Sequence, residues 1–161
     1  MARSKGHRRH ARVREKPAEG YASAAETLSG VLLDSDVIIE LLRDNRTLAA
    51  DLENLVASGV RTYCTAVSWA EVFAGLRKGE EPLTAEFFEA RGEVILDCTT
   101  GRHAGAYLAR YRRSHGVQIA DALIAAAAAT AGLRLWTLNR RHFPMKDVRL
   151  YEPAVAVRGQ R

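Results

Sequence analysis

From residue 31 onward, short apolar runs alternate with longer amphipathic stretches, a pattern that predicts strands separated by helices. The run 31–39, Val-Leu-Leu-Asp-Ser-Asp-Val-Ile-Ile, sets six apolar residues around two carboxylates, Asp34 and Asp36. It is too short to stand alone as a globular helix. It reads as a buried strand that leaves its sheet near the polar break, with 37–43 continuing as a helix. Side chains of an extended chain alternate faces, so residues two apart point the same way and both carboxylates can serve one site. Two acids at the end of a buried strand cost stability unless something positive meets them, and a metal ion is the expected partner.

A second amphipathic helix is predicted over 47–57, with Leu48, Leu52, Leu55 and Val56 on one face and Gly59 ending it. Residues 60–64 read as a strand, 65–76 as a helix, 77–82 as a polar turn and 84–91 as a short helix carrying Phe87 and Phe88. A third strand is expected at 94–98. A basic helix follows at 100–113, with Tyr107, Leu108 and Tyr111 as its apolar face. The alanine-dominated stretch 117–131, closed by Gly132, suits a helix packed tightly between other elements. Residues 133–138 form a fourth strand and 148–151 fit a fifth. No internal repeat is present. The expected fold class is α/β, with three layers and a central, mostly parallel sheet of about five strands flanked by helices. Such sheets bind ligands at the carboxyl ends of their strands.

The 161 residues suffice for one domain with a real core. Charge divides them unevenly: residues 1–20 hold seven Lys/Arg against two Glu, and the rest is balanced. The formal charge of +5 therefore describes a tail and does not make the folded part a basic nucleic-acid binder. Residues 1–29 are expected to be a basic, disordered N-terminal extension, and 30–161 the domain. That extension fits a nucleic-acid arm, a partner-docking tail, or translated sequence ahead of a later natural start. A short helical patch is expected around 22–28. Cys64 and Cys98, in apolar surroundings, form no metal or redox spacing and read as reduced, buried thiols. No apolar stretch approaches the roughly 18 residues of a membrane span, and no hydrophobic signal region follows the basic start. A cytoplasmic protein is expected.

Four polar positions fall on or just beyond predicted strand ends: Asp34, Glu71, Asp121 and Asn139. Thr137, two residues before Asn139, is expected to share its face. Each has an ordinary structural alternative. Glu71 completes a Ser-x-x-Glu capping box with Ser68. Asp121 favours the dipole of the helix it opens. Asn139, before Arg140 and Arg141, suits a turn.

Taken together, the segments Leu-Leu-Asp34-Ser-Asp36-Val-Ile-Ile, Ser68-Trp-Ala-Glu71-Val-Phe-Ala-Gly75, Ile-Ala-Asp121-Ala-Leu-Ile-Ala-Ala and Thr137-Leu-Asn139-Arg-Arg-His-Phe143 resemble those of a PIN domain, in the same order. The chain is similar to the VapC toxins of bacterial toxin–antitoxin pairs from about Val31 to Pro153. The resemblance implies a metal-dependent endoribonuclease that leaves a 3′-hydroxyl and a 5′-phosphate. It makes Asp34 and Asp121 the main metal ligands and Glu71 the third acid. Asn139 stands where many members carry a fourth acid, and Asp36 where the family often has Asn, Ser or Thr; Asp36 either restores some of that charge or bonds to backbone. The resemblance also implies a VapB-like antitoxin that covers the active site, often presenting an arginine to the acids, and a homodimer.

The physics agrees with this reading. Two carboxylates about 5 Å apart repel by roughly 3 kcal/mol at an effective dielectric near 20. Several such groups raise one another's pKa values or demand a cation. Oxygen ligation selects Mg²⁺ or Mn²⁺. Arg112 and Arg113, and Arg140 and Arg141, flank the expected pocket as candidate RNA-phosphate contacts, with a solvated helix face as the alternative. His115 and His142 are candidate proton donors that a metal mechanism does not require.

Other readings are weaker. Asp34-Ser-Asp36-Val-Ile also matches the opening of haloacid-dehalogenase-like phosphatases. That chemistry needs a catalytic lysine and a late acid pair, and after the tail only Lys78 and Lys146 remain. A binding-only PIN domain would have lost one of Asp34, Glu71 or Asp121. A chromosomal RNA-processing nuclease differs from a toxin only in its partner.

Overall fold

The computed structural model of the protein describes residues 29–153, and the helical patch expected around 22–28 lies outside them. Five parallel strands form one sheet in the order β3-β2-β1-β4-β5. They are β1 (Val31–Leu33), β2 (Thr62–Thr65), β3 (Gly92–Val94), β4 (Arg134–Trp136) and β5 (Arg149–Leu150). The helices are α1 (Ser35–Leu42), α2 (Arg46–Ala57), α3 (Ala66–Ala74), α4 (Glu81–Glu89), α5 (Cys98–His115) and α6 (Ile119–Ala131). This is the α/β architecture that the alternation predicts. No described helix is long and apolar enough to cross a membrane.

The strand period of two builds the layers. Leu32, Tyr63 and Leu135 turn to one face and pack with Ala104, Tyr107 and the buried alanines of α6. Val31, Leu33, Cys64 and Trp136 turn to the other, against Val37, Leu48, Val72 and Phe88 of α1 to α4. Ala125 to Ala128 are fully buried, so α6 lies close against its neighbours.

Capping residues end the strands and start the helices. Thr65 caps α3 through the Ser68 amide at 3.3 Å, and Asp97 caps α5 through the Thr100 amide at 2.8 Å. The Asp97 cap explains why the third strand ends at Val94 instead of Cys98: the chain has turned away from the sheet edge, leaving Ile95 78% exposed and Cys98, expected to be buried like Cys64, exposed in the first turn of α5. Residues 35–39 differ from the extended reading in the same way. Asp34 is the N-cap of α1, so Asp36 belongs to a helical first turn. On α2, Val56 is exposed and Asp51 takes the buried position between Leu48 and Leu55.

Gly30 enters β1 at φ 155°, where a Cβ would press on the Arg61 carbonyl and the Tyr63 ring. The backbone carbonyl cannot move aside, because Arg61 accepts the Val31 amide at 3.0 Å. Gly30→Ala should therefore lower stability by about 2 kcal/mol or more, read as a shift in the urea midpoint at unchanged slope.

Candidate active site

β1 and β4 are adjacent, and the connections leaving them run toward opposite edges of the sheet. Beyond their carboxyl ends lies the crevice where open α/β sheets place ligands. Asp34 and Thr137 stand at its two sides, and the Asp34 amide donates to the Trp136 carbonyl at 2.9 Å.

Asp34 is 6% exposed, and its Oδ1 accepts the Ser35 amide at 2.8 Å. Burial, then the negative charge of Asp36, with a smaller contribution from Asp121, raises its pKa from 3.8 to about 7. The carboxyl thus sits in the field of two other acids.

Asp36 lies beside Asp34 but does different work. Its Oδ2 accepts the amides of Leu138 at 3.1 Å and Asn139 at 3.0 Å, and the Thr137 hydroxyl at 3.3 Å. It therefore fastens the loop after β4 to the first turn of α1. Burial raises its pKa, and these hydrogen bonds oppose the rise. Of the two roles open to Asp36 in the sequence, the structure displays the backbone-binding one.

Glu71 lies on α3, and its Oε2 accepts the Ser35 hydroxyl at 2.5 Å. The capping-box alternative is absent, since Thr65 is the N-cap and accepts from Ser68. Asp121 does cap: its Oδ2 accepts the Gln118 amide at 2.7 Å at the start of α6. The same oxygen lies 3.3 Å from Nδ1 of His142, which is also 2.9 Å from the Asn139 side-chain amide. Thr137 is buried, whereas Asn139 is exposed at the head of the 3-10 turn Arg140–His142.

Arg112 and Arg113 are exposed at the end of α5, just before the loop into α6. Arg140 is engaged instead, as a bidentate partner of Glu152, and Arg141 is exposed. Two contacts escaped the sequence reading of the site, Ser35 to Glu71 and His142 to Asp121. Ser35 stood in plain view between the two aspartates, but no spacing rule pairs it with a residue 36 positions away.

The donors that could meet a cation here are mainly carboxylate oxygens, and the repulsion acting on Asp34 is what a divalent ion relieves. The group therefore fits Mg²⁺ or Mn²⁺ in charge and donor chemistry. Among the described residues, however, no three His, Cys, Asp or Glu side chains are gathered closely enough to hold an ion as they stand. Glu71 commits Oε2 to Ser35 and Asp121 commits Oδ2 to Gln118, so an ion would have to draw the acids closer around it through the oxygens left open.

Residues 31–148 match the family model of the PIN domain. Ribonuclease VapC10 of Mycobacterium tuberculosis is 38% identical over 137 residues, spanning 81% of this chain and 97% of that relative. Ribonuclease VapC19 of the same organism is 33% identical over 115 residues, spanning 71% and 92%. A crystal structure of DNA-bound VapBC from Salmonella typhimurium shares the fold at TM-score 0.66 and 19% identity, covering 77% of this chain and 98% of that one. Fold, order of motifs and identity to relatives agree: the chain belongs to the PIN-domain family, alongside its VapC members.

Proposed function

We propose that the protein is an endoribonuclease of VapC type, the toxin of a toxin–antitoxin pair, hydrolysing RNA phosphodiesters with Mg²⁺ or Mn²⁺. The observation that carries the reading is Asp34, a buried carboxyl at the sheet crevice whose pKa is pushed up to about 7 by burial and by neighbouring acids. A site of this kind binds cations, and the names of the relatives supply the substrate class. Asp34 and Asp121 would hold the ion with Glu71, while Asp36 and Thr137 fix the loop bearing Asn139. When bound, the ion supplies charge neutralisation on the phosphate and activation of a water. Arg112, Arg113 and Arg141 are exposed and would hold the RNA backbone, and Arg140 would join them only by leaving Glu152.

Beside Glu71, a groove between α1, α3 and α4 is lined by Ile39, Leu42, Leu76 and Leu83. We assign it to a VapB-like antitoxin, which would lay apolar side chains there and direct a cationic one at the acids. Its mixed apolar and charged lining supports this assignment.

Incubation of total RNA with the wild type and Asp121→Asn, with and without chelator, tests the activity. Wild type should cleave only with Mg²⁺ or Mn²⁺, leaving 5′-phosphates, and the variant should lose at least about 10²-fold in rate. Equal cleavage by both proteins, or cleavage in chelator, would sink the mechanism.

Stability without metal follows from Asp34. A carboxyl with a native pKa of about 7 and an ordinary value of 3.8 binds more protons folded than unfolded between those limits. Its contribution is thus most favourable below about pH 4 and is lost as pH rises toward 7. In chelator, Asp34→Asn should match the wild type near pH 4 and exceed it by a few kcal/mol at pH 8, measured by urea unfolding. Millimolar Mn²⁺ should stabilise the wild type at pH 8 and leave Asp34→Asn largely unmoved in thermal unfolding.

A further inference from the structure

Ser35 touches two of the three acids assigned to the cation through separate groups. Its backbone N–H donates to Asp34 Oδ1 at 2.8 Å, and its hydroxyl donates to Glu71 Oε2 at 2.5 Å. The residue is 6% exposed at the first position of α1, and α1 packs against α3 through Val37, Ile38 and Val72. That packing brings the first turn of one helix against the middle of the next.

We infer that Ser35 is a positioning residue that sets where Glu71 stands relative to Asp34, and thereby the affinity of the site for a divalent cation. The inference rests on the metal-dependent reading above and assigns a role to a residue that reading does not use. Glu71 is an exposed glutamate with considerable rotamer freedom, and the Ser35 hydroxyl selects one placement of it. Only one carboxylate oxygen is committed, which leaves the other for a ligand. A neutral donor also suits the task. An arginine or lysine here would orient Glu71 equally well but would cancel the charge that attracts the cation.

The two bonds can be separated by substitution. Ser35→Ala keeps the amide that serves Asp34 and removes only the hydroxyl that serves Glu71. The helix keeps its cap, because Asp34 and not Ser35 occupies that position. Ser35→Thr keeps the hydroxyl.

The test is Mn²⁺ titration calorimetry on the full chain as wild type, Ser35→Ala, Ser35→Thr and Glu71→Gln, with thermal unfolding in chelator and RNA cleavage in parallel. Ser35→Ala should raise the Mn²⁺ Kd about tenfold or more. Its metal-free Tm should stay within about 2 °C of wild type, and its KM for RNA should be unchanged at saturating Mn²⁺. Ser35→Thr should recover the Kd to within about threefold. A Ser35→Ala Kd equal to wild type, where Glu71→Gln weakens binding, overturns the inference. So does a large fall in metal-free Tm with an unchanged Kd, which marks a role in folding alone. If Glu71→Gln binds Mn²⁺ like the wild type, Glu71 lies outside the site, and the inference falls while the ribonuclease reading stands. RNA cleavage by a wild type that binds no Mn²⁺ or Mg²⁺ overturns both.

Discussion

The proposed chemistry depends on keeping one carboxyl, Asp34, out of water and close to other acids. Burial disfavours its charged form, and Asp36 and Asp121 add to that penalty, so without a cation Asp34 holds its proton to about pH 7. The sheet makes the burial unavoidable. Asp34 directly follows the central strand, whose three residues are fully buried, and its amide is bonded to β4. A cation that relieved this penalty would couple its own binding to the stability of the domain.

The surrounding acids divide the work. Asp36 spends both oxygens on the loop after β4, so it contributes field and architecture rather than a free ligand. Asp121 closes the start of α6 through one oxygen, which leaves the other without a capping role. His142 stands 3.3 Å from that carboxylate and links it to Asn139. The imidazole thus stands between Asp121 and the neutral amide of Asn139.

The layers and most helices were legible because burial follows period: Leu32 and Leu135 against Leu33 and Trp136, and the alanine run of α6, report their surroundings directly. Boundaries were less legible wherever a polar side chain captured the backbone. Asp97 turns the chain into α5 before residues 95–98 can extend the third strand, and Asp34 does the same before Asp36. A hydrophobic pattern contains no record of such hydrogen bonds. The positions of Asp34, Glu71, Asp121 and Asn139 could be marked from strand ends and motif order. The tertiary partners of Glu71 and Asp121, a serine and a histidine, depend on helix packing that no local spacing encodes.

Burial alone does not identify a site, as a second aspartate demonstrates. Asp51 is 1% exposed on the core face of α2, and neither of its oxygens has a hydrogen-bond partner among the described residues. By depth it outranks Asp34. Yet it stands on a helix flank between Leu48 and Leu55, with no strand terminus and no second acid assigned to the crevice beside it. What distinguishes Asp34 is convergence. Four chain segments far apart in sequence, around Asp34, Glu71, Asp121 and Thr137, bring carboxylates or their donors toward one end of the sheet. Only that arrangement would pair a cost in stability with a gain on binding a cation, and on this physical ground the proposed function uses Asp34 and not Asp51.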